Sequence, residues 1–253
     1  MKRMTLWMVV VALVAWTGAA SAETVNTVEA TFTDIVNRKA VHVQNGNELY
    51  VWAGQSLFKN LGISPNLPSN PAYYLDDWFG GYCIDLHQSI TFGYTTTWDL
   101  KTLEEAPVGS VPGPGMGTDR AQLLKRLWAN YYTDLHNAEF QVAVWEILAE
   151  TSSVYNVTNM NGSFYATRTN EVDIDLINDW LDVITATNYG GQETSIMWAL
   201  TSSATQDFAV LIETGGVGPG PDVPEPVTMF GLLAGIGCLT HYARKRGGRA
   251  SVR

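Results

Sequence analysis

Two apolar runs with basic flanks sit at the extreme ends of this chain, and whatever folds as a water-facing domain must lie between them. Met1 to Ala22 opens with Lys2 and Arg3, continues through the apolar stretch Leu6 to Trp16, and closes on Ala20-Ser21-Ala22, a small-x-small cleavage pattern. This is the layout of a secretory signal peptide, and its apolar part is too short to span a bilayer comfortably. At the other end, Val227 to Ala243 is apolar and is followed by Arg244-Lys245-Arg246 and further arginines. At about 1.5 Å per residue that helix reaches about 25 Å, enough for a thin bilayer, and the basic cluster behind it stays on the cytoplasmic side. The chain therefore divides into a signal peptide (1–22), a folded domain (23–213), a Gly/Pro linker (214–226) and a transmembrane helix with a basic tail (227–253).

With 46% hydrophobic and 16% charged residues the composition is that of a globular domain. Residues 23–226 carry all 25 acidic residues but only 8 of the 15 basic ones. A body so acidic repels phosphate backbones and anionic lipid, which argues against nucleic acid as a partner.

Runs rich in β-branched and aromatic residues predict strands at Val28–Val36, Glu48–Ala53, Tyr82–His87, Ile90–Thr96, Ser195–Leu200 and Phe208–Ile212. Between them lie three helical patterns. Asp119 is placed to cap the first, with Gln122 at the capping-box position and Leu123, Leu124, Leu127, Trp128, Tyr131 and Tyr132 as its stripe. Asn137 is placed to cap the second, Ala138–Glu150, with Glu139 near the positive end of its dipole. Asp173 is placed to cap the third, which carries Ile174, Ile177, Leu181 and Ile184 on one face. Strands, then helices, then strands predict an α+β class: a single domain of antiparallel β-strands with a helical middle segment, flanked by the two terminal signals.

The C-terminal order of parts is Val223-Pro224-Glu225-Pro226, then the short span, then the arginine cluster. It closely resembles the PEP-CTERM sorting signal of Gram-negative bacteria. The resemblance implies Pro224, Glu225 and Pro226 as the sorting motif and exosortase, a membrane protease, as a partner acting on the tail. It also implies export across the inner membrane, transient anchoring by the C-terminal helix, and release to the cell surface or outside the cell.

Of the two cysteines, Cys238 lies in that tail and Cys83 in the domain. Loss of the tail leaves Cys83 with no internal disulfide partner in an oxidising compartment, so its fate is burial as a small hydrophobe, intermolecular pairing or some other covalent chemistry. Strand alternation through Tyr82-Cys83-Ile84-Asp85-Leu86-His87 groups Cys83 with Asp85 and His87. In the second helix, Gln141 falls one turn before Trp145 and two before Leu148, which turns its amide into the apolar stripe. An unpartnered buried amide costs about 1–3 kcal/mol, so something must compensate it.

Tyr82-Cys83-Ile84-Asp85 and the later Phe140-Gln141-Val142-Ala143-Val144-Trp145 resemble the two signatures of bacterial thioester domains, the TQXA-type adhesin modules. In that family a cysteine sulfur is joined to the side-chain carbonyl of a glutamine as a concealed electrophile. The resemblance implies Cys83 as the sulfur and Gln141 as the acyl donor, with Ala143 and Trp145 as packing residues of the helix motif. Phe140 stands where the family has threonine, which removes the hydroxyl beside the glutamine but leaves both bond-forming residues. The implied partner is an amine-bearing protein or cell-surface ligand, and the implied chemistry is an autocatalytic bond rather than turnover, with no cofactor. Attack by the amine calls for a base, and His87 and His136 are the candidates by residue type.

Two other readings remain open: a cysteine hydrolase with Cys83 as nucleophile, and a structural matrix protein that binds without covalent chemistry. No metal is expected, since Asp76-Asp77 and Asp173, Asp175 and Asp179 lack a recognised ligand spacing.

Overall fold

The computed structural model describes residues 25–108, 114–158, 160, 162–168, 170–193 and 196–212. The signal peptide, the linker with Pro224, Glu225 and Pro226, and the 227–253 segment with Cys238 lie outside the described residues.

Among the described residues, seven strands and three α-helices form one unit. Strand β1 (Thr27–Asn45) and β2 (Asn47–Ser64) make a long hairpin, turning at Gly46 with a φ of 72°. The remaining strands are β3 (Trp78–Cys83), β4 (Thr95–Thr102), β5 (Phe164–Ala166), β6 (Met197–Thr201) and β7 (Phe208–Leu211). All pairings are antiparallel, and the order β2-β3-β7-β6-β4-β1 closes on itself through the hairpin into a six-stranded barrel. Closure leaves no open edge in that ring. The outer end of β1 continues past it and pairs with β5.

The inner face is aromatic because alternate residues of each strand point the same way. Val28, Ala30 and Phe32 of β1 are buried while Glu29 is exposed. Phe58 is the hub, with ring centroids 4.8 Å from Phe208, 5.2 Å from Phe79, 5.6 Å from Trp98 and 5.7 Å from Phe32.

Helix α2 (Asn137–Ala149) lies against the outside of the barrel, and α1 (Gly117–Tyr131) and α3 (Ile174–Thr185) pack against α2. Tyr82, on the opposite face of β3 from Phe79, packs edge-on against Trp128 and tilted against Phe140. Helix α2 is buried all the way round: every residue from Asn137 to Leu148 is inside. Its polar side chains must therefore find partners in the protein. The Tyr82 hydroxyl donates to Asn137 Oδ1 at 2.6 Å, and Lys39 Nζ donates to Glu139 Oε1 at 2.5 Å. The Asn156 N–H donates to Glu146 Oε1 at 2.7 Å. Gln141 belongs to the site described below.

Several boundaries differ from the sequence expectation. Asp173 does cap α3, its Oδ1 accepting the Leu176 N–H at 3.0 Å. Asp119 instead sits inside the first turn of α1, which starts at Gly117, and Asn137 is the first residue of α2, its side chain taken by Tyr82. The expected strand Tyr82–His87 is in fact the end of β3: it stops at Cys83, where Asp85 folds back so that its Oδ1 accepts the His87 N–H at 2.7 Å. The stretch expected as a strand at Ile90–Thr96 is largely turn, and β4 begins at Thr95. Among the described residues no helix is long and apolar enough to cross a membrane.

Candidate functional site

The site forms where the barrel wall opens. Strand β3 pairs with β7 as far as Cys83, but its pairing with β2 ends at Gly81 opposite Ser56. Beyond that point the backbone of Cys83 has lost its neighbour on the β2 side. A buried N–H and C=O cannot stay unpaired without a cost comparable to a lost hydrogen bond. The side chain of Gln141 takes the place of the missing strand: the Cys83 N–H donates to Gln141 Oε1 at 2.8 Å, and Gln141 Nε2 donates to the Cys83 carbonyl at 2.8 Å. This pair spans 58 positions of chain and ties α2 to the end of β3.

Cys83 is 5% exposed and Gln141 1%. The sulfur donates to the Asp85 carbonyl at 3.1 Å. Burial pushes the thiol up to about 12, and the negative charges of Asp85 and Asp207 add to it. The Trp145 indole N–H and the Asp85 backbone pull the other way, by more than those charges but by less than burial. That indole nitrogen is buried and makes no well-aligned hydrogen bond of its own, so its influence on the sulfur is one of proximity. Ala143, two residues beyond Gln141, is fully buried in the same helix.

A cavity of about 240 Å³ opens onto this pair. Cys83, Gln141, Trp145 and Gln206 line its inner part, and Trp52 and Phe92, each about half exposed, line its outer part. His87 and His136 are not among its lining residues. His87 faces a separate cavity of about 220 Å³ beside Arg120, on the other side of Trp145, and His136 packs against Trp180 at the start of α2.

Two buried acids, neither of them named as a base from the sequence, act on the sulfur through their charge. Asp85 and Asp207 are 2% and 1% exposed, and each has one carboxyl oxygen without a partner. The Ser202 N–H donates to the other oxygen of Asp207 at 2.7 Å, while the Asp207 carbonyl accepts the Ile84 N–H at 2.9 Å, beside Cys83. Burial, reinforced by the charge of Asp85, raises Asp207 to about 7, and burial likewise raises Asp85. Gln206 Nε2 donates to the Asp85 carbonyl at 3.1 Å and so joins the two loops. Asp85 had one sequence signal, its position two residues after Cys83. Asp207 had none, because only barrel closure brings β7 next to β3.

Among the described residues no group of three or more His, Cys, Asp or Glu side chains is placed to hold a metal ion. No protein-family model, curated protein or solved structure matches the chain.

Proposed function

We propose that this is an exported surface or matrix protein in which the Cys83 sulfur and the Gln141 side-chain carbonyl are joined as an internal thioester, held for capture of an amine on a partner. The observation that carries the reading is the pairing of the Gln141 amide with the backbone of Cys83, at the inner end of a cavity that reaches the surface. The two hydrogen bonds fix the amide beside the residue whose sulfur must attack it, and such positioning lowers the barrier of an intramolecular reaction by several kcal/mol.

In bond formation the thiol proton passes to a carboxylate, the sulfur attacks the Gln141 carbonyl carbon, and ammonia departs. The thiol itself ionises too rarely to manage alone, so a base is needed. Asp207, raised to about 7 by burial and with one oxygen unpartnered, is the candidate to take the thiol proton and return it to the departing nitrogen. In capture, a neutral amine attacks the same carbon, the Cys83 thiol leaves with a proton, and an amide bond joins Gln141 to the partner. Buried apolar surroundings keep water from competing. Export through the signal peptide and sorting through Pro224-Glu225-Pro226 by exosortase complete the proposal.

One observation favours a second reading, a matrix protein without covalent chemistry. The Gln141 amide already has a complete pair of hydrogen bonds with Cys83, so it serves as a polar brace even when no bond forms. A cysteine hydrolase is less well supported, since burial suppresses the thiolate and no histidine lines the cavity. Intact mass separates these readings. The thioester protein is lighter than its sequence by one ammonia and gains a hydroxylamine adduct, and Cys83→Ala abolishes both changes. Full mass with no adduct favours the brace, and full mass with turnover of an ester substrate favours the hydrolase.

A further inference from the structure

A cation of the protein itself lies over two of the aromatic rings that line the Cys83–Gln141 cavity. The guanidinium carbon of Arg38 lies 5.0 Å from the ring centroid of Trp52 and 5.4 Å from that of Phe92, and both rings line the cavity. Asp34 adds a carboxylate 3.5 Å from Arg38 Nη1. Phe92 is held by stacking on buried Phe32, with centroids 5.2 Å apart and planes 14° from parallel. Arg38 reaches this position from a bulge: the β1–β2 register shifts between Val36 and Lys39, and Asn37 turns with a φ of 49°. Trp52, Phe92, Arg38 and Asp34 all remain substantially exposed, so a cation from outside can reach the same faces.

Aromatic faces attract any cation through the ring quadrupole, and a carboxylate beside them favours a cation over a neutral group. We infer that Trp52, Phe92 and Asp34 form an entry port for a primary alkylammonium, such as a lysine side chain of the partner, and that Arg38 occupies the port until the partner displaces it. The port lies on the path from solvent to Gln141, which makes it the selector of which amines reach the acyl carbon. This consequence rests on the thioester reading; the port itself does not.

Two measurements test it. Adduct formation followed by intact mass compares cadaverine, a cationic alkylamine, with hydroxylamine, which is neutral at pH 7, at equal ionic strength. Arg38→Gln is expected to speed capture of cadaverine roughly threefold and Trp52→Leu to slow it by a similar factor, the size of an exposed cation–π contact, with hydroxylamine unaffected. Equal changes for both nucleophiles, or none for either, overturn the inference. The second measurement needs no thioester. In the Cys83→Ala, Arg38→Gln chain, the indole N–H resonance of Trp52, assigned by its loss in Trp52→Leu, is expected to shift with n-butylammonium chloride and not with sodium chloride. A resonance that does not respond overturns the port. If the wild-type chain captures neither nucleophile, the thioester reading fails and the port is decided by the second measurement alone.

Discussion

Gln141 braces the Cys83 backbone whether or not it is also the acyl donor of the proposed thioester. Gln141→Ala leaves the Cys83 N–H and C=O buried without partners. Each orphaned group costs about 1–3 kcal/mol, so a loss of roughly 2–6 kcal/mol in denaturant unfolding is expected even without a covalent bond. Glu146, on the same helix, makes a pH-dependent contribution. Burial, with the charge of Glu150, raises it to about 8 from an ordinary value of 4.5, despite the Asn156 N–H. The folded state therefore holds a proton that the unfolded chain releases, and stability falls as pH rises from about 4.5 to 8, then levels. Glu146→Gln keeps an oxygen for Asn156 and removes the titration. It is expected to flatten that part of the stability–pH curve and to gain a few kcal/mol above pH 8, as read by urea midpoints across the range. An unchanged slope would place the titration elsewhere.

At the scale of elements, the hairpin bulge and helix α2 decide the geometry of the site. A Cβ on Gly54 would meet Ile35 Cγ2 at 2.7 Å, the Val36 carbonyl at 2.8 Å and Arg38 Cα at 3.1 Å. Two of those contacts are backbone, so Gly54→Ala must push β2 away from the bulge that presents Arg38. A destabilisation of about 1–3 kcal/mol is expected, together with a shift of the Trp52 indole resonance. The helices were legible from sequence because their apolar spacing is regular, and α3 also because Asp173 is a true cap. Helix α2 was legible as a helix but not as an enclosed one: Glu139 was read only against the helix dipole, whereas it is buried against Lys39 from the hairpin, and Glu146, equally buried, accepts the Asn156 N–H from the loop that follows. Strand β3 was hidden by Gly80 and Gly81, which have low strand propensity but are needed where Gln55 and Val210 crowd the backbone. Strand β5, only three residues long, offers no period to read.

For the whole molecule, closure of the barrel explains which parts of the site were visible in advance. Cys83 and Gln141 stood out through local signatures. Trp52 and Phe92 come from the far half of the hairpin and the turn before β4, and only the finished ring places them around one cavity with Cys83 and Gln141; Asp207, just ahead of β7, reaches the end of β3 through the same closure. A thioester between β3 and α2 would also close a long loop, worth about 4 kcal/mol on the chain-entropy model. For a domain of this size that corresponds to a fall of about 10 °C in Tm for Cys83→Ala, whereas a merely buried thiol costs about 2–4 °C. Thermal unfolding of the two proteins distinguishes these outcomes.

Enclosure of α2 has a mechanical side. A tether fixed to Gln141 would pull on a segment wedged between a closed ring and two outer helices, so tension enters at the centre of the molecule instead of its skin. To yield, the protein would have to surrender its best-packed region first, which is a sound way to build a hook.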